Sequence, residues 1–278
     1  MTMKHLTEQQ AEQFRREGYV APLTAMTQSE ARAFRDRMEA SEREVGPLKI
    51  GKYGSKSHLL FSWVDEITRN RRLLDAVEDL IGEDILIYTL TLWIKGAKDG
   101  AFVDWHQDAS YFGLEPKEQV TAWVALSESS EQSGCVRVIP RSHLGGVHRH
   151  STREGSSNHM LPRRQAVDTQ VDEASAVRMP LKPGEFSLHH TLAIHSSEPN
   201  LSDDRRIGVG ISYIPTRVRF TGSARLTGML VRGTDRYGHF DHERAPRADC
   251  TPEQVVYHAA VMKNYFDSKK ELQLADAE

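Results

Sequence analysis

Hydrophobic residues recur at helical spacing in the first third of the chain, whereas from about residue 83 they form short, nearly continuous runs. Segments 7–10 and 27–30 both read Thr-x-x-Gln/Glu, the pattern of a capping box, and so predict that helices begin there. The second of these helices is predicted to run from Gln28 to about Glu44. Two more helices are predicted, from about Glu66 to Ile81 and from Pro252 to about Leu272.

The runs after residue 83 are rich in β-branched and aromatic residues and lack a helical period, which is typical of strands. Between them lie Gly, Pro and Ser signals for turns, and this alternation favours a sandwich or a barrel. The polar segment 151–175 is predicted to be a loop or an excursion between strands. The predicted strands are 85–94, 120–126, 134–140, 185–190 and 206–215.

No linker divides the sequence, so we expect a single domain over residues 1–278. Its parts are a mostly helical support (1–82), a β core (about 83–220) and a C-terminal part (about 221–278) with a lid and a helix.

The composition excludes several classes of protein. A net charge of −3 gives no electrostatic reason to expect a nucleic acid or a membrane surface as partner. No apolar run approaches the roughly 18 residues of a membrane span, and residues 1–8 contain no apolar segment of a secretory signal. Two cysteines, Cys135 and Cys250, cannot form a disulfide framework and fit a reducing compartment, so we expect a cytoplasmic protein.

Candidate chemistry begins at His106-Gln107-Asp108. In an extended backbone, His106 and Asp108 leave on the same side and Gln107 turns away. Such a pair is weak alone, but His195 offers a second imidazole 87 residues after Asp108. Two His and one carboxylate with open positions form the ligand set of non-haem Fe(II) oxygenases. We therefore predict a metal site at these three residues.

The segment after His195 adds a second candidate group. Residues 199–203 are mostly turn formers, and a hairpin centred between Asn200 and Leu201 predicts that Arg206 lies opposite His195. A guanidinium binds a carboxylate through two hydrogen bonds. This pairing suggests a co-substrate that chelates the metal and carries a distal carboxylate, and 2-oxoglutarate is such a molecule.

With these residues the chain resembles the phytanoyl-CoA dioxygenase family of Fe(II)/2-oxoglutarate oxygenases over residues of about 85–220. The resemblance implies a mainly β fold with flanking helices, whose core is a double-stranded β-helix (a cupin-like jelly roll). It also implies that His106, Asp108 and His195 bind iron, and that Arg206 and Ser197 bind the C5 carboxylate of 2-oxoglutarate. The motifs that carry it are His106-Gln107-Asp108, Trp123 in Thr-Ala-Trp-Val-Ala-Leu, Gly134 to His143, and His195 to Arg206.

The activity implied by the resemblance is hydroxylation of an unactivated C–H bond of a small metabolite, with O2 consumed and succinate and CO2 released. Halogenating relatives replace the carboxylate ligand with Ala or Gly, and this chain keeps Asp108, which favours hydroxylation. Residues 217–242 combine glycines with arginines, and we predict that they gate the substrate. Two interpretations of these arginines stay open: recognition of an anionic substrate, or ordinary surface charge.

Other interpretations also remain. A cupin-like hydrolase, isomerase or binding module needs the three metal ligands but has no use for Arg206. His189 and His190 compete with His195, yet they fall inside a predicted strand and lack the downstream Ser and Arg, so we predict core or pocket-wall roles. His143 is predicted to be structural.

Overall fold

Six α-helices and fifteen strands occur in the residues that the computed structural model describes, namely 3–152, 158–161 and 164–275, with side chains as far as residue 270. The helices are α1 (Glu8–Glu17), α2 (Gln28–Val45), α3 (Ser62–Thr68), α4 (Arg71–Ile81), α5 (Ala109–Phe112) and α6 (Pro252–Ala275). The strands are β1 (Tyr19–Thr24), β2 (Ile85–Lys95), β3 (Val103–His106), β4 (Leu114–Glu115), β5 (Val120–Ala125), β6 (Val136–Val138), β7 (His150–Thr152), β8 (Gln165–Val167), β9 (Val177–Met179), β10 (Glu185–His190), β11 (His195–Ser197), β12 (Arg206–Pro215), β13 (Arg219–Phe220), β14 (Thr227–Arg232) and β15 (Asp241–His242).

Eleven of the strands form a large and a small sheet, and the pairs β4–β13 and β7–β8 form two further two-stranded sheets. Both predicted fold elements, the β core and the flanking helices, are present. The large sheet has the order β1-β10-β5-β12-β2-β14-β15, and the small sheet has the order β3-β11-β6-β9. Their ladders are antiparallel except for the pair β14–β15. Within the predicted loop 151–175, β8 pairs with β7, while residues 153–157 and 162–163 lie outside the described residues.

The large sheet separates two sets of side chains by the period of two that strands impose. On β12, Ile207, Val209 and Ile211 pack in the main hydrophobic core together with residues of α1 to α4. The intervening residues of the same strand, Arg206, Gly208, Gly210 and Ser212, face the interior cavities. The helices therefore cover one face of the sheet, and the other face borders the cavities.

The predicted helix starts are confirmed at α1 and α2, where Thr7 and Thr27 form both hydrogen bonds of a capping box. The prediction of one helix from Glu66 to Ile81 is wrong, because α3 ends at Thr68 and α4 begins at Arg71. Asn70 causes the break: its side chain accepts a hydrogen bond from the Leu73 amide at 3.2 Å, and Asn is among the favoured N-cap residues. None of the described helices combines the length and apolar character of a membrane span.

A buried ionic cluster fastens the segment before α6 to the rest of the fold. Lys56 Nζ and His58 Nε2 lie 2.5 Å and 2.9 Å from the Glu243 carboxylate, and Thr227 donates to it at 2.6 Å. Burial alone would raise the pKa of Glu243, but the charge of Lys56 and the contact with His58 outweigh it and lower the pKa to about 2. The cluster therefore depends on an ionised Glu243.

We expect Glu243→Gln to destabilise the fold by about 3–5 kcal/mol at neutral pH, because it leaves the buried charge of Lys56 without its partner. The folded-state pKa lies below the ordinary value of 4.5, so this stabilisation is present above pH 4.5 and is lost as the pH falls towards about 2. Urea unfolding of both proteins between pH 7 and pH 3 measures the difference. Glu253→Gln, an exposed change at the start of α6, is the control, and an equal loss of stability in both variants would contradict the role of the cluster.

Candidate metal centre

Three predicted ligand residues come together where the small sheet meets α5. His106 ends β3 and His195 begins β11, and these residues are direct partners in the antiparallel ladder. Their Nε2 atoms lie 3.8 Å and 3.9 Å from Asp108 Oδ1. One ligand atom from each residue lies within 4.8 Å of the other two, which is close enough for a single metal ion.

Asp108 reaches this place by a route that the sequence did not predict. It adopts helical dihedral angles (φ −59°, ψ −37°) as the residue before α5, so the extended i, i+2 geometry is wrong. Gln107 turns away as expected, and its buried amide binds the carbonyls of Gly146 and Leu192 at 2.8 Å and 2.7 Å. This anchor fixes the backbone between the two ligands.

Both imidazoles are oriented by their own backbone. His106 Nδ1 donates to the Asp104 carbonyl and His195 Nδ1 donates to the Ala193 carbonyl, each at 2.9 Å. That arrangement leaves each Nε2 with a lone pair directed at the shared point, as a metal requires.

The protonation states also suit a metal. Burial lowers the pKa of His106 to about 4 and lowers that of His195 well below its usual value. Burial opposes ionisation of Asp108, but the neighbouring histidines hold its pKa well below the ordinary range. Thr121 donates to Asp108 Oδ2 at 2.7 Å and fixes the carboxylate. Two neutral imidazoles and one carboxylate are the states in which these groups bind metals.

A cavity of about 50 Å³, which we call the co-substrate cavity, connects these ligands with Arg206 and Ser197. The Arg206 side chain is buried, donates from Nη1 to Ser197 Oγ at 2.8 Å and to the Gly134 carbonyl at 2.7 Å, and lies over the Trp123 ring. Its Nε has no hydrogen-bond partner, and no carboxylate of the described residues pairs with it. A buried cation in this state fits an anionic ligand, because an unpaired buried charge is costly.

The predicted hairpin between His195 and Arg206 is wrong. His195 pairs with His106 and Val138 in the small sheet, whereas Arg206 pairs with Lys95 in the large sheet. The two residues approach each other because both sheets contribute to the same cavity, not because they are neighbours across a ladder.

Gly208 makes room for the ring that lies under Arg206. A Cβ atom at this position would lie 1.9 Å from Cζ2 of Trp123. We therefore expect Gly208→Ala to displace the indole, to destabilise the fold by about 1–3 kcal/mol as overpacking does, and to weaken 2-oxoglutarate binding. Thermal unfolding and a 2-oxoglutarate titration measure both effects. Unchanged 2-oxoglutarate affinity would show that the Trp123 ring does not support Arg206.

Lys95 also belongs to this site, although no sequence pattern predicted it. This buried lysine donates to Ser197 Oγ at 2.5 Å and contacts the Glu198 carbonyl. Burial, followed by the charge of Arg206, lowers its pKa to about 6. Lys95 lies opposite Arg206 in the β2–β12 ladder. Pairing the two predicted strands could have indicated this contact, but the predicted hairpin placed His195 opposite Arg206 instead.

His189 and His190 point to opposite sides of β10. His189 lines the co-substrate cavity, its Nε2 lies 3.6 Å from Asp108 Oδ2, and neither ring nitrogen has a hydrogen-bond partner among the described residues. His190 instead packs near His143, 5.3 Å between ring centroids. His143 donates to the Arg15 carbonyl at 3.0 Å, a structural contact away from the centre.

The predicted lid segment 217–242 contributes no residue to the lining of the larger cavity beside Asp108. Part of it forms β14, which pairs with β2, and α6 supplies four lining residues of that cavity instead. Whether segment 217–242 moves stays a prediction.

Comparisons with known proteins show which family the chain resembles along its length. The sequence profile of the family described as phytanoyl-CoA dioxygenase (PhyH) matches residues 14–208. A probable alpha-ketoglutarate-dependent hypophosphite dioxygenase of Stutzerimonas stutzeri is 31% identical over 157 residues, which are 56% of this chain and 54% of that protein. The chain thus matches about half the length of several curated relatives. L-proline trans-4-hydroxylase of Streptomyces griseoviridis is 25% identical over 71% of this chain and 82% of its own length.

Solved structures extend the similarity to nearly the whole chain. The apo form of the non-heme monooxygenase ThoJ has a TM-score of 0.83 and 32% identity, and the match covers 94% of this chain and 97% of that one. CytC3 with Fe(II) and alpha-ketoglutarate has a TM-score of 0.68 at 22% identity, with 89% and 97% covered, and supports the jelly-roll fold alone. On the matched profile and on this similarity along the chain, the protein belongs to the phytanoyl-CoA dioxygenase (PhyH) family.

Proposed function

We propose that the protein is an Fe(II)/2-oxoglutarate-dependent dioxygenase that hydroxylates an unactivated C–H bond of a small molecule. In the balanced reaction, R–H, O2 and 2-oxoglutarate give R–OH, succinate and CO2. One observation carries the proposal: the buried guanidinium of Arg206, which no described carboxylate neutralises, lines the same cavity as His106, Asp108 and His195. A metalloprotein without 2-oxoglutarate has no use for that cation.

The donor set fits Fe(II), with His106, Asp108 and His195 as its ligands. Iron bound there supplies the site at which 2-oxoglutarate and O2 react. The protein's own part is orientation: the backbone carbonyls of Asp104 and Ala193 fix the imidazoles.

At the other end of the cavity, Arg206 and Ser197 receive the C5 carboxylate. Ser197 Oγ accepts a hydrogen bond from Lys95 and donates its proton to the Gly134 carbonyl at 2.9 Å. To bind the carboxylate, the Ser197 hydroxyl would turn this proton away from Gly134. A bidentate guanidinium contact with a carboxylate is charge-assisted and directional. Binding the distal carboxylate there leaves the keto-acid end of 2-oxoglutarate for the metal.

The remaining parts of the proposal concern context. The names of relatives that act on hypophosphite and on proline support a small-molecule substrate. The two free cysteines support a reducing compartment such as the cytoplasm. The organisation of residues 1–278 as one domain remains part of this proposal.

Succinate release tests the proposal. Purified protein with Fe(II), O2 and 2-oxoglutarate should form succinate slowly even without a substrate, and chelation of iron should stop it. A metabolite screen scored by faster succinate formation and a product 16 mass units heavier then identifies the substrate. Protein that binds iron but forms no succinate under any of these conditions would favour the cupin-like alternative.

A further inference from the structure

A second cavity, of about 130 Å³, adjoins the metal centre, and neither Arg206 nor Ser197 belongs to its lining. It shares Trp93, Asp108 and Thr121 with the co-substrate cavity. A metal bound to Asp108 would therefore face both spaces. The co-substrate cavity contains Arg206, the proposed receptor for 2-oxoglutarate. The second cavity is therefore available for the molecule to be oxidised, and we call it the substrate cavity.

The walls of this substrate cavity have two kinds of surface. Tyr111 and Phe112 of α5 and Met262, Tyr265 and Phe266 of α6 form an apolar, largely aromatic side. The sheet contributes the hydroxyl groups of Thr89, Thr91 and Ser212. An apolar cavity of roughly 150 Å³ holds benzene in a protein core, so this space suits a single ring.

Among the described residues that line the cavity, only Asp108 and Lys269 carry charge. Lys269 is buried on α6 and donates to Tyr88 Oη at 2.6 Å and to the Phe112 carbonyl at 2.8 Å. Its ammonium also lies 4.8–5.9 Å from the ring centroids of Tyr88, Phe112, Phe220 and Tyr265. A carboxylate that replaced one of these neutral acceptors would gain a charge-assisted hydrogen bond.

Lys269 and the metal ligand Asp108 lie at opposite ends of α5. Asp108 precedes this short helix, and Lys269 contacts the carbonyl of its last residue, Phe112. Four residues of helix rise roughly 6 Å, so α5 lies between the candidate metal ligand and the lysine.

Three arginines of segment 217–242, where an anionic substrate was one interpretation, pair with carboxylates of the protein. Arg217 pairs with Glu118, Arg225 with Asp241, and Arg232 with Asp75 and Glu78. None of them lines the cavity. Recognition of an anion at this site falls to α6.

We propose that the substrate cavity binds a small monocarboxylate with one apolar ring, the ring packing against α5 and α6 and the carboxylate binding Lys269. This substrate class rests on the proposed oxygenase function, since it names what that site would hydroxylate. It differs from the small inorganic substrate in the name of the hypophosphite relative.

Matched probes test the substrate class by binding alone. Calorimetric titration with phenylacetate and with phenylacetamide, which lacks the charge, should show that the wild-type protein prefers the acid by about 10- to 100-fold. Lys269→Met should remove this preference while keeping affinity for the amide. Lys270→Met changes the exposed neighbour on the same helix and should behave as the wild type does.

One further variant and one competitor locate the probe. Met262→Trp, which fills the cavity, should weaken binding of both probes. Saturating 2-oxoglutarate should leave phenylacetate binding by the wild type unchanged, because the acid is not expected at the co-substrate receptor, and competition between the two would contradict the proposal. Equal affinity of the wild type for acid and amide, or an acid preference that survives Lys269→Met, would overturn the proposal, and the wild-type comparison decides even where a variant fails to fold.

The titrations separate this proposal from the oxygenase function. They are made on protein without metal and repeated anaerobically with Fe(II) and 2-oxoglutarate, and neither needs turnover. Probe binding without any succinate release would leave the cavity assignment intact and contradict the oxygenase. Succinate release without a preference for the acid would support the oxygenase function and contradict the proposed substrate class.

Discussion

Asp108→Ala is expected to abolish hydroxylation and to lower Fe(II) affinity by more than about 100-fold. Mutation of residues that merely orient metal ligands already costs 10- to 100-fold, and Asp108 supplies a ligand atom close to both imidazole nitrogens. His195→Ala should have the same effect. Equilibrium dialysis with Fe(II) under anaerobic conditions measures affinity, and succinate formation measures turnover.

His190→Ala is the matched control. It removes an imidazole from the same part of the chain, but one that faces His143 and not the three candidate ligands. Iron affinity and succinate formation should stay close to those of the wild type. If His195→Ala bound Fe(II) normally and His190→Ala did not, the assignment of the distal ligand would be wrong.

The parts of the fold that sequence predicted are those set by local rules. The capping boxes at Thr7 and Thr27 are complete within four residues. Strand β12 follows from ten consecutive residues that are mostly apolar and lack a helical period. The break at Asn70 is also local, but a capping residue inside a helical pattern was outweighed by the periodicity around it. Local rules are reliable where neighbouring residues alone determine the backbone.

The spatial relation of His195 to Arg206 was not a local property. A turn between two strands of one sheet and a turn that leads from one sheet to the opposite one have the same composition. The residues 199–203 therefore indicated a hairpin, although β11 and β12 belong to different sheets. Both residues still line one cavity, which the two sheets form together, and not through the predicted hairpin.

The residues that sequence missed depend on contacts between distant segments. Lys269 meets the Phe112 carbonyl across 157 positions, and Lys95 meets Ser197 across 102. No period or motif links such positions, because packing of α6 and of the two sheets decides them. For the same reason the sequence predicted that residues 217–242 gate the site, whereas α6 forms part of the wall of the substrate cavity.

Arg206→Gln is expected to raise the KM for 2-oxoglutarate by about 30- to several-thousand-fold while iron binding persists. Losing one partner of a buried, charge-assisted contact costs on the order of 2–5 kcal/mol. The effect should appear in KM for 2-oxoglutarate, since Arg206 lines the cavity as the proposed receptor of the C5 carboxylate and is not a candidate metal ligand. Initial rates of succinate formation over a range of 2-oxoglutarate concentrations measure it.

Arg205→Gln distinguishes this role from a general effect of lost charge. Arg205 is the adjacent residue, but its guanidinium pairs with Glu42 at 2.7 Å and 3.0 Å on the helical side of the sheet. Its loss removes a partly exposed ion pair, which is worth about 1 kcal/mol or less in stability, and should not alter the KM for 2-oxoglutarate. The two side chains point in different directions from β12 and its preceding turn, so the two variants test different places. A KM that stayed constant in Arg206→Gln but rose in Arg205→Gln would show that Arg205, and not Arg206, is the carboxylate receptor.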